Sequence, residues 1–170
     1  MKFDLSLGIK DINNKHHIVE RTAIRGVIKN NDKLLMVLTN KGDYKFPGGG
    51  IKPNEIIKET LAREVMEETG FKITKIGDTI GKVIEKNIDM YDENSLFVMT
   101  SLYIECEIDP SCQKDLFLDD YEKEQDFKPV FINIEEALNN NLELINKGND
   151  LNFWVYRETE VLKSLVDLKY

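Results

Sequence analysis

The chain opens on strict alternation. Phe3, Leu5, Leu7 and Ile9 are apolar, and Asp4, Ser6, Gly8 and Lys10 between them are not, which predicts a half-buried strand. Asp11–Lys15 marks a turn, and Ile18–Lys29 reads as a second strand closed by the hairpin-type turn Asn30-Asn31-Asp32. Lys33–Thr39 (KLLMVLT) is an apolar run between turn residues, as expected of a buried central strand. Lys41-Gly42-Asp43 then turns the chain into Tyr44-Lys45-Phe46 and Pro47-Gly48-Gly49-Gly50. That glycine run is expected not to continue a strand, and it lets backbone N–H groups approach a ligand.

The period then becomes helical. The pattern begins near Asn54, with Pro53 suited to a helix start and Glu55 favourable against the N-terminal dipole. Ile57, Leu61 and Val65 recur every fourth residue and should face a core, and Gly70 is a natural stop. Phe71–Ile76 and Thr79–Ile88 read as strands joined at Gly77-Asp78, Asp89–Asn94 as a polar turn, and Ser95–Ile108 as the longest strand. Asp109–Gln125 is acidic, contains Pro110 and has little periodicity. A loop of that length in a compact domain is more often functional than idle, with mobile surface as the competing reading. Pro129–Ile134 reads as a short strand, and Glu135–Lys147 as a helix on Ala137, Leu138, Leu142 and Ile145 that ends near Gly148. Asp150 suits the cap of a last helix striped by Leu151, Trp154, Val155, Leu162, Leu165 and Leu168. Trp154 fits core or dimer packing better than a base-stacking platform. No repeat or linker divides the chain, so residues 1–170 are expected to form one domain.

Composition narrows the function. Hydrophobic residues at 41% and charged residues at 32% fit a globular chain rather than a disordered one. A formal charge of −8 argues against a nucleic-acid duplex as partner, because such binders carry a basic face. A polyphosphate would also be repelled unless bound cations or local Lys and Arg offset the acid. Cys106 and Cys112 fit no zinc spacing and read as reduced thiols. His16 and His17 are the only histidines, and an adjacent pair without further ligands completes no zinc set. No segment is long and apolar enough for a membrane span, and MKFDLSLGIK has no signal-peptide core, so a cytoplasmic location is expected.

The chemistry gathers on the first helix. Glu64 lies three residues from Glu67 and four from Glu68, which places their carboxylates on or beside one face. Hard oxygen ligands of this kind suit Mg²⁺ or Mn²⁺. On the glutamates alone, a solvated charged face is the commoner explanation; the spacing of the whole stretch reverses that.

Gly49–Phe71 (GGIKPNEIIKETLAREVMEETGF) resembles the Nudix box: G, five residues, E, seven residues, R-E-U-x-E-E-x-G-U, with U bulky and apolar. Gly49, Glu55, Arg63, Glu64, Glu67, Glu68 and Gly70 occupy its fixed positions, and Val65 and Phe71 its U positions. With each fixed residue type at roughly 1 in 15 of ordinary usage, a chance match at a given start is on the order of 10⁻⁸. The preceding Phe46-Pro47-Gly48-Gly49-Gly50 resembles the family's entry into the box, and EKEQDFKPVFINIEEAL its exit into a late helix. Lys52 and Asn54 depart from common members at positions that are not fixed.

The resemblance implies an α/β fold, the Nudix α/β/α sandwich with a mixed sheet, over roughly residues 18–147. It implies hydrolysis of a pyrophosphate bond in a nucleoside diphosphate linked to some moiety X. Two carboxylates about 6 Å apart at an effective dielectric near 20 repel by about 3 kcal/mol, so a cation or a raised pKa would serve them. The implied metal ligands are Glu64, Glu67 and Glu68, holding Mg²⁺ or Mn²⁺. The implied general base is Glu67, with Glu124 or a neighbour as alternative, since Asp119, Asp120, Glu122 and Glu124 of the acidic loop include a candidate further metal ligand or base; Arg63 orients a box carboxylate. Gly48, Gly49 and Gly50 would shape the loop beside the phosphates, and Arg25 and Lys45, with Arg21, stand where they could meet them; for each singly, ordinary surface charge is the competing reading. Tyr44, Phe46, Tyr91 and Phe97 are candidates to stack on a base or to fill the core. By resemblance, handlers of ADP-sugars or dinucleoside polyphosphates carry Pro or Tyr some fifteen to eighteen residues past the box; Lys86–Asp89 has neither. That favours a nucleoside triphosphate of MutT-like type, with a nucleotide sugar, a dinucleoside polyphosphate or a non-catalytic nucleotide-binding module as alternatives. The partner expected is a small nucleoside polyphosphate, with homodimerisation left open.

Overall fold

The computed structural model describes residues 1–9, 17–148 and 150–170. The turn expected over Asp11–Lys15, and His16 with it, lie outside the described residues. Two long strands form the middle of the fold. Strand β2 (His17–Asn30) runs parallel to β7 (Ser95–Gln113) from His17↔Ser95 to Ile28↔Cys106. It then turns at Asn31 into β3 (Lys33–Leu38), where Asn31 takes a φ of 57°, a conformation Asn tolerates better than most residues. The antiparallel partner of β7 is β6 (Phe71–Ile88), and β1 (Phe3–Gly8) pairs parallel on the far side of β6. Beyond β3 lie β4 (Tyr44–Lys45) and β8 (Lys128–Asn133), both antiparallel to it. The short β5 (Gly48–Gly50) pairs with β2. The result is one mixed eight-stranded sheet.

Helices cover both faces. Helix α1 (Ile57–Thr69) lies over Ile24, Ile28, Leu35 and Ile104, and Leu61 and Val65 are its fully buried residues there. Removing a side chain of that kind from water contributes about 1.5–3 kcal/mol. Helix α3 (Ile134–Lys147) and helix α4 (Val155–Asp167) take the other face, where Val161, Leu162 and Leu165 meet Val27, Leu34, Met36, Val83 and Tyr103. Residues Ala23–Ile28 of β2 and Leu34–Val37 of β3 are therefore buried on both sides, which is why Lys33–Thr39 reads as a continuous apolar run. No helix among the described residues is long and apolar enough to cross a membrane.

Several expectations change in detail. The glycine run does extend the sheet: Gly48, Gly49 and Gly50 face Arg25, Ile24 and Ala23 of β2. Gly48 has a φ of 141°, and a Cβ there would sit 2.0 Å from the Ile24 carbonyl oxygen, so the pairing needs a residue without a side chain. Helix α1 starts at Ile57, not near Asn54, because Asn54 sits at φ 68° inside a turn closed by Glu55 N–H donating to Lys52 O. Ile57 consequently lies outside the core. The two strands expected around Gly77-Asp78 are one strand with a register shift between Ile76 and Thr79. Strand β7 continues past Ile108 to Gln113, and the shift between Ile73 and Phe71 absorbs Pro110. A short helix, α2 (Asp120–Glu124), interrupts the supposed acidic loop. Asp150 caps no helix, since α4 begins only at Val155; instead Asp150 receives Lys41 Nζ at 2.8 Å. Trp154 is a core residue whose indole N–H donates to the buried Asp43 at 2.7 Å. Asp43 also accepts from Thr39 Oγ1 and Asn152 Nδ2, which pins the turn leading into β4. Cys106 is buried and Cys112 exposed, both as free thiols.

Candidate active site

The acidic end of α1 packs against the glycine strand. Glu64 is buried beneath Gly49, so closely that a Cβ at Gly49 would lie 2.5 Å from Glu64 Oε2. Glu68 lies one turn further along and is wholly buried. Its Oε2 accepts the Gly48 N–H at 2.9 Å, and its Oε1 accepts Lys45 Nζ at 2.6 Å. A third carboxylate comes from elsewhere in the chain. Glu122 of α2 is buried, and one oxygen of each of Glu64, Glu68 and Glu122 lies within 4.8 Å of the others. In this arrangement Glu122 Oε2 accepts the Asp119 N–H and its Oε1 the Tyr121 hydroxyl.

Arg63 organises the outer rim. Its guanidinium donates to Glu55 through Nε and Nη2, to Glu64 Oε1 at 2.6 Å and to Glu67 Oε2 at 2.9 Å. It thus holds three carboxylates in one plane of donors, as a forked planar cation can and an ammonium cannot. Hydrogen bonds from Arg63 hold Glu55 well below the usual carboxylate range, at about 2. Glu64 and Glu68 move the other way. Burial raises Glu64 against the pull of Arg63, and burial pushes Glu68 up to about 7 even though Lys45 and the Gly48 N–H oppose it. Glu122 adds to both shifts by like-charge repulsion.

Three buried carboxylates so close, two of them raised by burial, make a site that a hard divalent cation fits. The donors are all oxygen, as Mg²⁺ and Mn²⁺ prefer. Glu67 stands apart from this triad, half-buried and engaged by Arg63. Glu124 does not join either: it is exposed, and its backbone carbonyl accepts Asn40 Nδ2. Of the acidic-loop candidates, it is Glu122 rather than Glu124 that the fold brings beside Glu64 and Glu68. The signal that singles it out from its acidic neighbours is the Asp119-x-x-Glu122 spacing, a helix-start pattern in which the third residue folds back onto the cap.

Arg25 and Lys45 are not ordinary surface charges, since both are buried. Arg25 donates to Gly48 O and steadies the glycine strand, and Lys45 Nζ lies 4.6 Å from the centre of the Phe127 ring as well as on Glu68. Arg21 is exposed and reaches Gly50, where a Cβ would come within 3.0 Å of its guanidinium. Among the stacking candidates, Phe46 is core, packed edge-on against Tyr103, and Tyr91 is exposed in the turn between β6 and β7. Tyr44 and Phe97 are half-buried. Tyr121 is the partly exposed aromatic that touches the carboxylate cluster itself.

Comparison with known proteins agrees with this geometry. Residues 19–149 match the family profile described as NUDIX domain. A segment of 63 residues is 33% identical to the ADP-ribose pyrophosphatase of Methanocaldococcus jannaschii, covering 35% of this chain and 37% of that protein's length. The NUDIX hydrolase of Nitrosomonas europaea has a similar fold, with a TM-score of 0.50 at 18% identity over 84% of this chain and 87% of the other.

Proposed function

The chain belongs to the NUDIX family, and on that premise we propose that it hydrolyses a pyrophosphate bond in a nucleoside diphosphate linked to a further group. The observation that carries this reading is the convergence of Glu64, Glu68 and Glu122 beside the glycine strand. Phosphoryl transfer asks little covalent work of a protein and much charge neutralisation and positioning. Glu64, Glu68 and Glu122 would hold the divalent ion, Mg²⁺ or Mn²⁺. When bound, such an ion neutralises phosphate oxygens and lowers the pKa of a coordinated water.

The chain's own residues supply the rest. Without side chains, Gly48 closes up on the β2 backbone and Gly49 on Glu64, which seats the carboxylates against the loop. Arg63 fixes Glu64 and Glu67, and Glu67, the less buried of the two, would take a proton from water at the rim. Arg21 reaches the last glycine of the strand from the solvent side, where a phosphate would arrive. Glu124 has no part in this arrangement.

A nucleoside triphosphate is the first reading of the substrate, because Lys86–Asp89 lacks the Pro or Tyr associated with the other classes. A second reading, ADP-ribose, draws on the name of the Methanocaldococcus jannaschii relative. Turnover of a panel containing nucleoside triphosphates, ADP-ribose and dinucleoside polyphosphates, ranked by kcat/KM with Mg²⁺ and with EDTA, separates them. Glu68→Gln removes one ligand charge at constant shape, and Mg²⁺-dependent turnover should fall at least about tenfold with the fold intact. A variant that turns over as well as the parent refutes the assignment of Glu68.

A further inference from the structure

Each oxygen of Glu68 already accepts a hydrogen bond. Oε2 accepts the Gly48 N–H and Oε1 accepts Lys45 Nζ, so a divalent ion that takes Oε1 must compete with an ammonium already there. That ammonium is 3% exposed as a residue and has the Phe127 ring as its other close partner. An ammonium on a four-carbon stem is a compact charge that can swing, unlike the forked Arg63 locked onto three carboxylates. Charge adds to the argument. Glu64, Glu68 and Glu122 together bring three formal negatives, and Lys45 is the cation bonded to Glu68. A divalent ion on Glu68 and an ammonium 2.6 Å from the same oxygen repel each other, so the arrival of the ion favours the departure of the ammonium.

We propose that Lys45 is an exchangeable counter-cation: it neutralises Glu68 while the cluster holds no divalent ion, yields Oε1 when one enters, and then turns its charge to a phosphate of the substrate. The inference rests on the metal site and substrate class given above. It makes metal and nucleotide binding cooperative, because each favours the state in which Lys45 has left Glu68, and such coupling is reciprocal by linkage. Without nucleotide, Lys45 weakens metal binding; with nucleotide, it finds a new partner and the penalty disappears.

The test is Mn²⁺ binding, followed by the spin-resonance signal of free Mn²⁺ at pH 8, with and without a methylene-bridged, uncleavable nucleoside diphosphate. In Lys45→Met and Lys45→Gln, Mn²⁺ should bind at least about tenfold tighter than to the parent when nucleotide is absent, since a contact charge has been removed from the ligand set. The nucleotide should tighten Mn²⁺ binding clearly in the parent and little in either variant. Lys45→Arg, which keeps the charge, should stay at or near the parental affinity. Near-ultraviolet circular dichroism confirms that each variant is folded. Equal Mn²⁺ affinities for the parent and both uncharged variants overturn the counter-cation. A parent that fails to bind Mn²⁺ at millimolar concentration, together with variants that also fail, overturns the metal site beneath it.

Discussion

Gly49→Ala is a one-carbon test of the site. Gly49 does not need glycine for its backbone: its φ is not in the left-handed region, unlike that of Gly48. What excludes a side chain is Glu64, whose Oε2, Cδ and Oε1 would lie 2.5, 2.6 and 2.7 Å from the added Cβ. Ordinary contact begins at 3.4 Å, so the carboxylate must retreat by about 0.9 Å. Its Oε1 is tied to Arg63 at 2.6 Å, and Arg63 is tied to Glu55 and Glu67, so the retreat disturbs the whole rim. Overpacking of this kind costs about 1–3 kcal/mol, which in a chain of this size lowers Tm by roughly 2–12 °C. Moving a ligand by close to an ångström costs about 100-fold in kcat/KM. Gly50→Ala is the contrasting case, because the atoms nearest its Cβ belong to the exposed guanidinium of Arg21, at 3.0 Å, so it leaves Glu64 in place and tests Arg21 instead. Thermal melts and Mg²⁺-dependent turnover of both variants give the answer. If Gly49→Ala stays within about twofold of the parent in kcat/KM, the close approach of Glu64 to the glycine strand is irrelevant to activity and the site has been misplaced.

Two further outcomes follow from the same geometry. Glu122→Gln should weaken Mn²⁺ binding at least about tenfold while Glu124→Gln leaves it alone, as a titration of the two variants reads directly; the reverse order would return the third ligand to Glu124. The pH dependence of the metal-free protein has a definite sign. Glu68 sits at about 7 when folded and near 4.5 ordinarily, so its stabilisation is complete below 4.5 and lost as pH rises through about 7. That group alone removes up to about 3 kcal/mol over the window, measurable as urea midpoints at pH 5 and pH 7.5, and Glu68→Gln should reduce the slope to what Glu64, also raised by burial, contributes; a slope unchanged by the substitution refutes the role given to Glu68. Glu55 acts oppositely, adding stability above its ordinary range that disappears as pH falls through about 2.

Much of this was legible in the sequence, for stated reasons. The box helix announces itself because its spacing must satisfy a helix and a ligand set at once, so few alternatives fit. The central strands announce themselves because burial on both faces leaves no polar alternation, as in Lys33–Thr39. Other residues carried weaker signals. Glu122 lies in a stretch with no period, and only its relation to Asp119 marks a helix start. Arg25 stands inside the buried run Ala23–Ile28, and a lone charge in such a run has to find a buried partner, which it does at Gly48 O. Lys45 ends a two-residue strand too short to show which way its side chain points. Nothing in the α4 pattern distinguishes Arg157 and Glu158 from solvent-facing charges, yet both are buried, with Arg157 Nη2 on Glu158 Oε1 at 2.6 Å and Arg157 Nη1 on Glu85 at 2.7 Å. That partnership spans β6 and α4, and periodicity within one element cannot reveal a bond between two.

The separate origin of Glu122 has a mechanical consequence. Two of the cluster's carboxylates ride on α1, whereas the third rides on a helix of five residues that carries its own cap. An ion gripping all three would rivet that small helix to the large one, cross-linking distant parts of the chain without a covalent bond. The amides of Asp120–Glu124 should then exchange hydrogen more slowly as the ion is added, giving a reporter of occupancy that needs no substrate at all.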